Sequence, residues 1–405
     1  MKPELLAPAG DLERLKIALL YGADAVYIGG KIFGLRANAI NFSSEEMKEA
    51  VTFAHSLNKK VYVTVNMVLH NKEIKFLLDY LKELESIGID AIIASDLSVI
   101  SLALEKTNLE VHVSTQQSTL NYEAVKYLKD LGVKRVVLGR ELSSEEIKNI
   151  QKVGLDIEIF IHGAICFSYS GRCFLSDFMT GRSANLGDCA QSCRWSYNLY
   201  AEEKNNPGEL MPIETNEYGT SIFSSKDLCL LKEIPDIIDM GIDSLKVEGR
   251  LKTEYYIASV INAYRNAIDD YINSPEEYDY TKYLKELEKV KTRGLTTFYF
   301  NDRENKDIQE YAGKQYNEQY EFGGKVVEYG EEKSIIEIRN RLKIGDEMEI
   351  IIPHQIEPVK FTIEKLWDAE TDEEIDVVNP GKQGQQVKLK LPIECKKDWI
   401  IRRKK

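Results

Sequence analysis

Five of the six cysteines lie in one stretch of the chain, and their type and spacing indicate metal ligation. Cys166 and Cys173 are seven positions apart, Cys189 and Cys193 form a C-x-x-x-C pair, and Cys229 follows. Thiolates are soft ligands that suit iron–sulfur clusters or zinc. Structural zinc sites favour two close C-x-x-C knuckles, which this sequence lacks, so a four-iron cluster is favoured over zinc. Buried free cysteines that act as small apolar side chains are the third interpretation.

The composition is that of an ordinary globular protein, with 405 residues, 43% of them hydrophobic and 29% charged. A formal net charge of −13 excludes a surface that is basic all over, although a local patch can still grip phosphates. No apolar run approaches the roughly 20 residues that cross a bilayer, and Met1–Glu4 lacks the apolar stretch of a signal peptide. We therefore expect a cytoplasmic protein without a membrane partner, in a reducing compartment where disulfides are rare.

The elements that must position the cysteines alternate between short apolar runs and amphipathic helical patterns, which indicates consecutive βα units. Each run is mostly hydrophobic, as strands of a buried parallel sheet are. The eight predicted strands are Glu4–Ala7, Ala25–Gly29, Lys60–Asn66, Ala91–Ala94, Glu110–Ser114, Arg135–Leu138, Asp156–His162 and Ser244–Glu248. Eight repeats predict a closed TIM-like (β/α)8 barrel with its reactive face at the C-terminal strand ends, and an open doubly wound sheet is the alternative.

About eighty residues separate the seventh predicted strand from the eighth, far more than in an ordinary βα loop. All five clustered cysteines lie in this insertion, so we expect an iron–sulfur loop over about 163–230 within a barrel domain of residues 1–272. Cys229 is expected to open the helix before strand eight. Residues 273–320 predict a helical or irregular linker with a helix over Tyr280–Thr292, and residues 321–405 predict a small β-barrel domain.

Three ionisable side chains near predicted strand ends are candidate catalytic residues. His162 ends strand seven, where a group that titrates near neutrality could move a proton. Glu158 lies four positions earlier on the same face, and Glu248 ends strand eight. A structural role is the alternative for each, and for Glu158 it is a buried ion pair with Lys246.

Candidate substrate-binding residues are those that can hold an anion, an RNA backbone or a base at the expected rim. Arginine forks suit carboxylates and phosphates, and tyrosine rings can stack on a flipped base. The candidates are Arg36, Asn66, Gln116, Gln117, Arg140, Lys246 and Arg250 for polar contacts, with Tyr27, Tyr169 and Tyr197 for stacking. Loop-bracing contacts or ordinary packing are the alternative for each.

A motif runs over Glu158–Cys166, with the sequence EIFIHGAIC, and continues over Ser170–Ser176, with the sequence SGRCFLS. It resembles the signature of the collagenase-like peptidase family U32. Further segments that resemble this family are Glu4–Gly10, Asp188–Cys189, Cys193–Trp195, Ser225–Cys229 and Lys246–Arg250. Together these segments span the predicted barrel.

Despite the peptidase name, the resemblance implies an oxygen-independent hydroxylation protein that carries a four-iron cluster. Such members act on transfer RNA, ribosomal RNA or a quinone precursor, and a barrel with a C-terminal β domain is similar to the transfer-RNA branch. The resemblance to that branch implies that the protein converts wobble uridine to 5-hydroxyuridine and requires prephenate, an anionic metabolite. An iron–sulfur assembly or electron-transfer protein is a further expected partner. The implied ligands are Cys166, Cys173, Cys189 and Cys229, with Cys193 as the alternative to either of the last two.

Two other functions remain open at this point. A peptidase is what the family name states, but the sequence has no His-Glu-x-x-His zinc motif and no Gly-x-Ser-x-Gly elbow. A Cys166 nucleophile with His162 as its base would leave the other cysteines unexplained. The third function is a non-catalytic RNA or protein adaptor, in which the cluster only braces the long loop.

Overall fold

The structure is a computed structural model, and it describes residues 2–35, 41–166, 168–195, 197–202, 204–205, 207–208, 210–213, 225–302, 305, 308, 319–382 and 384–405. The candidate Arg36 lies outside the described residues. The chain forms two compact units, which are described separately. The first comprises Met1–Leu15, Asp24–Leu251 and Thr292–Tyr316, and the second comprises Lys16–Ala23, Lys252–Lys291 and Asn317–Lys405.

The first unit is built around a parallel barrel. Its described strands are β1 (Glu4–Pro8), β2 (Ala25–Gly29), β3 (Lys60–Val65), β4 (Ala91–Ala94), β5 (Glu110–Val113), β6 (Arg135–Val137), β7 (Asp156–Ala164), β8 (Leu199–Glu202), β9 (Leu210–Ile213), β10 (Asp227–Cys229), β11 (Ser244–Val247) and β12 (Leu295–Thr296). Strands β1 to β7 pair in chain order, and β11 pairs in parallel with both β7 and β1, which closes the ring. The predicted TIM-like barrel is confirmed.

The barrel strands end within two residues of the predicted positions, because their apolar runs are buried on both faces. Helices separate them, and local sequence sets the helix ends. Ser43 and Ser143 each form a capping box, with Glu46 and Glu146 respectively, and Gly88 ends its helix at a φ of 89°. The helices in chain order are α1 (Leu12–Leu20), α2 (Ser44–Ser56), α3 (Asn71–Ile87), α4 (Leu97–Lys106), α5 (Tyr122–Leu131), α6 (Ser144–Gln151), α7 (Leu175–Thr180), α8 (Ile234–Asp239), α9 (Glu254–Asn273) and α10 (Thr281–Leu287).

Strand β7 continues past the end of β6 and carries the chain into the long insertion. Its residues His162–Ala164 pair antiparallel with β10, and β10 pairs in turn with β12. Cys229 therefore ends a strand opposite His162, and the prediction that it opens a helix was wrong, since α8 begins at Ile234. The backbone groups of β7 beyond the end of β6 can pair with a further strand, and β10 forms there. No periodic pattern in the sequence of β10 predicts this pairing.

The second unit combines α9 and α10 with an antiparallel sheet. Its strands are β13 (Tyr320–Glu328), β14 (Ser334–Ile338), β15 (Leu342–Lys343), β16 (Glu347–Ile351), β17 (Val359–Thr362), β18 (Leu366–Asp368), β19 (Val377–Val378), β20 (Gln386–Leu389) and β21 (Ile400–Lys404). The main sheet has the order β17-β16-β21-β13-β14-β20-β18, and β15 pairs with β19. Its inner face packs around Val326, Ile336, Ile350, Val387 and Ile401.

The stretch expected to form a linker, residues 273–320, does not behave as one segment. Helix α10 is shorter than the predicted Tyr280–Thr292 and belongs to the second unit, whereas β12 joins the sheet of the first. Among the described helices, none combines the length and the apolar character that a membrane span requires.

Arg402 is the main buried charge of the second unit, and its replacement tests how that unit is stabilised. Its Nε donates to Glu349 at 2.7 Å and its Nη2 to Glu286 at 2.6 Å. We expect Arg402→Ala to lower the free energy of unfolding by about 3 kcal/mol, because both carboxylates lose a fully buried guanidinium partner and keep their contacts with Lys289. Lys404→Ala, which breaks an exposed pair with Glu347, should cost less than about 1 kcal/mol. Urea unfolding followed by tryptophan fluorescence measures both, and equal losses would contradict the assignment.

Candidate active site

A cavity opens at the C-terminal ends of the barrel strands, which is the face where this fold places reactive groups. Its volume is about 890 Å3, including the open mouth. The lining comes from β3, β5, β6, β7, β11 and the segments that follow them, and includes Thr64, Asn66, Ser114, Gln116, Arg140, Glu141, Phe160, Cys166, Lys246, Glu248 and Arg250. Charged, amide and thiol groups from distant parts of the chain therefore share one cavity.

The floor of the cavity is anchored by a buried ion pair. Lys246 Nζ donates to Glu158 Oε1 at 2.8 Å, and Glu158 is 0% exposed. Arg135 Nη1 lies 3.4 Å from the other carboxylate oxygen. Burial alone would raise the pKa of Glu158, but Lys246 and Arg135 hold it at about 2. Glu158 is therefore ionised at neutral pH and keeps Lys246 in place.

This charge network continues toward the N-terminal ends of the strands. Arg135 Nη1 also donates to Glu4 at 2.5 Å, and the Tyr62 hydroxyl donates to Glu4 at 2.7 Å. The Ser244 hydroxyl lies 3.1 Å from both Glu4 and Glu158. The strand register explains the meeting, because Ser244 pairs with Glu4 on one side and with Glu158 on the other. The buried carboxylate of Glu158 and the partly exposed carboxylate of Glu4 are thus both hydrogen-bonded inside the barrel.

Several polar atoms of the cavity wall are available to a ligand. Arg140 Cζ lies 3.9 Å from the Phe160 ring centroid, and Nη1 donates to the Ala164 carbonyl at 3.0 Å. Among the described residues, Arg140 Nε, Gln116 Oε1 and Ser168 Oγ are buried without a hydrogen-bond partner. Buried polar atoms are normally paired, so this set is suited to hydrogen bonding with a bound molecule.

The end of β11 adds further charge to the cavity. Lys246 Nζ lies 4.6 Å from the Tyr27 ring centroid, and the Tyr27 hydroxyl is 3.5 Å from Glu248 Oε2. Arg250 is buried against Gly29, where a Cβ atom would lie 2.1 Å from its Nη2. A glycine at the end of β2 therefore makes room for the guanidinium. Lys246, Arg250 and Arg140 are the three cationic side chains that the described residues contribute to the cavity.

The long insertion brings four cysteines together beside the cavity. Burial raises the pKa of the Cys193 thiol, and the sulfurs of Cys166, Cys189 and Cys173 raise it further. These three thiols are therefore within electrostatic range of Cys193. Cys166 also lines the cavity, so the cysteine group and the cations adjoin.

These sulfurs form a donor set that fits a soft metal centre. The Gln191 amide donates to Cys189 Sγ at 3.3 Å, a contact of the kind that stabilises a thiolate ligand. In the described part of the chain, no group of three or more His, Cys, Asp and Glu side chains has the spacing of a single metal ion. An iron–sulfur cluster holds its cysteine sulfurs farther apart than one ion does, so the looser grouping is compatible with a cluster.

Comparison with known proteins places the chain in a family. Residues 10–310 match peptidase family U32, and residues 318–402 match the peptidase family U32 C-terminal domain. The chain belongs to peptidase family U32. The two matches cover the barrel of this U32 protein after its first strand and nearly all of the antiparallel sheet.

Three relatives with assigned names span nearly the whole of this U32 chain. It is 45% identical to tRNA hydroxylation protein P1 of Bacillus subtilis (strain 168), over 96% of this chain and 92% of the relative. It is 34% identical to tRNA hydroxylation protein P of Escherichia coli (strain K12), over 99% and 96%. It is 30% identical to a protein named collagenase from Porphyromonas gingivalis (strain ATCC BAA-308 / W83), over 92% and 94%.

Most residues proposed from the U32 sequence as substrate contacts lie in the cavity lining. These are Tyr27, Asn66, Gln116, Arg140, Lys246 and Arg250, with the candidate catalytic Glu248 beside them. Tyr169 is exposed on the rim, and Tyr197 donates its hydroxyl to the Ser192 carbonyl at 2.6 Å. Gln117 is tied to Arg172, whose Nη2 donates to it at 3.2 Å.

His162 is buried and does not appear in the lining formed by the described residues. Strand alternation places it on the face of Glu158 and Phe160, but the pairing with β11 shifts register between Phe160 and His162. Such a bulge breaks the alternation of side chains. Cys229, buried on β10 opposite His162, lies on the same extension of the sheet.

Some residues of the U32 cavity were missed from the sequence. Glu141 accepts hydrogen bonds from the Ser170 amide at 2.6 Å and hydroxyl at 2.7 Å, which ties the cysteine segment to the end of β6. In the sequence, the feature that could have identified Glu141 is its position directly after Arg140, at the end of a predicted strand. Arg135 and His112 are buried polar residues within otherwise apolar strands. A polar residue at such a position likewise indicates a polar network inside the barrel.

The ion pair beneath the cavity predicts a specific dependence of stability on pH. A carboxyl whose folded pKa is lowered stabilises the fold above its unfolded pKa and loses that effect as pH falls through the folded value. We expect Glu158→Gln to cost about 3 kcal/mol at pH 7, with the difference from wild type shrinking as pH falls from about 4.5 to about 2.

Urea unfolding over a pH series measures this difference. Glu332→Gln is the control, because Glu332 forms only an exposed pair with Lys390 and should leave the acid limb unchanged. Parallel curves for wild type and Glu158→Gln across the acid range would refute the assignment.

Proposed function

We propose that this protein is an RNA-modifying hydroxylase that converts wobble uridine of transfer RNA to 5-hydroxyuridine, with prephenate as the required metabolite. The proposal is supported by relatives named tRNA hydroxylation proteins that match almost the full chain. The observation that carries it in the structure is a single cavity lined by both Cys166 and the cations Arg140, Lys246 and Arg250. A redox cofactor and an anionic metabolite would have adjoining places there.

Cys166, Cys173 and Cys189 would hold an iron–sulfur cluster of the four-iron type, with Cys229 as the fourth ligand and Cys193 as its alternative. Cys193 is half-buried and lies within electrostatic range of the other three thiols, which supports the alternative. The bound cluster would supply one-electron redox chemistry at the cavity wall. An iron–sulfur assembly or electron-transfer protein is the partner that such a centre requires.

The anionic metabolite would bind through the arginines rather than through Lys246. The charge of Lys246 is already balanced by Glu158, whereas Arg140 presents a buried Nε that none of the described residues pairs. Prephenate carries two carboxylates, and guanidinium groups form forked hydrogen bonds with such groups. Gln116 Oε1 and Ser168 Oγ would contact polar atoms of the same ligand.

Proton transfer at the target base would fall to Glu248. Of the residues that the structure describes, two glutamates line the cavity, and Glu141 is held by Ser170 through both its oxygens. Glu248 lies next to the Tyr27 hydroxyl and faces the same space as Cys166. His162 would act from behind the wall, by bracing the β7 extension.

Peptidase activity, which the family name states, is less well supported. A cysteine peptidase needs a base within hydrogen-bond reach of its nucleophile. Cys166 lines the cavity, whereas His162 is buried outside the described lining. A deletion strain distinguishes the enzyme from a non-catalytic adaptor. Loss of hydroxyuridine from its transfer RNA favours the enzyme, and a wild-type level favours the adaptor.

The cysteine assignment predicts a paired loss of iron and of the modified nucleoside. Cys166→Ala and Cys173→Ala should reduce iron after anaerobic purification and abolish 5-hydroxyuridine in transfer RNA of a complemented deletion strain. Cys395→Ala is the control, because this buried cysteine packs in the core of the second unit. Iron analysis and nucleoside mass spectrometry give the two readouts, and comparison of Cys193→Ala with Cys229→Ala identifies the fourth ligand. Full iron in Cys166→Ala would contradict the cluster.

The anion site predicts a change in KM for the metabolite. Arg140→Met should raise the KM for prephenate about 10–100-fold, because a charge-assisted hydrogen bond contributes roughly 1.5–3 kcal/mol. Arg182→Met is the matched control, since Arg182 is exposed and pairs with Asp188 at 2.7 Å. Kinetics with anaerobically purified protein measure the effect, and an unchanged KM in Arg140→Met would remove this residue from the site.

A further inference from the structure

The cysteine segment exposes aromatic side chains next to the cavity. Phe174 is 69% exposed and Phe178 is 75% exposed, and Trp195 is also exposed. The Phe178 amide donates to the Phe174 carbonyl at 2.9 Å, so the two rings stand four positions apart, Phe174 at the N-cap of α7 and Phe178 within it. Large apolar side chains grouped on a protein surface often form a binding site for another molecule.

This group is held in place by hydrogen bonds within the segment. The Ala190 amide donates to Ser176 Oγ of α7 at 2.9 Å, and Trp195 Nε1 donates to the Ala190 carbonyl at 3.2 Å. Ala190 therefore connects the helix to the indole ring. Gly171, three residues before Phe174, lines the cavity. The segment that carries the exposed aromatic side chains therefore starts at the cavity lining.

The charge of the segment differs from that of the whole chain. Cys166–Trp195 contains three arginines and two aspartates, whereas the whole chain has a net charge of −13. Arg182 is paired with Asp188, but neither Arg172 nor Arg194 has a carboxylate partner among the described ion pairs. They donate instead to the carbonyls of Gln116 and Ile165. No carboxylate among the described ion pairs neutralises either guanidinium.

We propose that Phe174, Phe178 and Trp195 form a stacking platform for unpaired nucleotides that flank the target base of an RNA loop. Aromatic faces stack on any base, and cations nearby meet the phosphates, which together is how proteins hold single-stranded nucleic acid. Arg172 and Arg194 are the phosphate contacts. The proposal rests on the proposed RNA substrate and adds where the unpaired loop binds.

Fluorescence anisotropy with the full chain tests the platform. The probes are a labelled RNA stem-loop with an unpaired loop and a blunt RNA duplex of equal length. The double variant Phe174→Ala with Phe178→Ala should weaken stem-loop binding about 10–100-fold and leave duplex binding unchanged. The matched control, Phe76→Ala with Tyr127→Ala, removes rings that are 66% and 65% exposed on α3 and α5, and should bind like wild type. Phe178→Trp keeps a stacking face and should also bind like wild type.

Each other outcome overturns a defined part of the proposal. Wild-type protein that binds neither RNA overturns the RNA substrate and the platform together. Stem-loop binding that survives in the double variant overturns the platform alone. Equal weakening for stem-loop and duplex excludes stacking on unpaired bases. Intact RNA binding with loss of hydroxyuridine in cells assigns the surface to a protein partner instead.

Discussion

A fully buried carboxylate, that of Glu158, lies under the cavity, and the placement of one of the cavity's cations, Lys246, depends on it. Glu158 inside a barrel would take up a proton if it were alone, because burial disfavours the charged form. Lys246 and Arg135 reverse that preference, and Ser244 donates a further hydrogen bond. The reciprocal effect holds Lys246 at the cavity floor, against the rings of Tyr27 and Phe160. The barrel interior therefore positions one of the positive charges that line the cavity.

The same strand connects this charge network to the sulfurs. Strand β7 carries Glu158 in the interior and leads through Ala164 to Cys166 at the cavity wall. Its extension beyond β6 is covered by β10, which gives the start and the end of the long insertion a common support. Glu141 adds a second tie through Ser170. The insertion is thus fastened at the barrel rim, which is what a shared cofactor pocket requires.

The proposed chemistry follows from this adjacency. Thiolates beside a hydrogen-bonding, cationic cavity suit a redox centre that works on a polar substrate, whereas hydrolysis of a peptide needs an activated nucleophile. The stacking platform on α7 would extend the same segment outward to the RNA. One insertion would then supply the metal ligands, part of the cavity wall and the RNA contact, which explains why its length exceeds that of an ordinary βα loop.

Apolar runs alone determined the barrel strands, because a parallel strand buried on both faces must be hydrophobic along its length. Strand order then put Asn66, Gln116, Arg140, Lys246 and Arg250 on one rim, since strand ends converge in any closed barrel. Only the tertiary structure decided that Cys229 lies in a strand, that a bulge follows Phe160 and that His162 is absent from the cavity lining formed by the described residues. These outcomes depend on contacts between segments far apart in the chain, and such contacts leave no periodic pattern in the sequence.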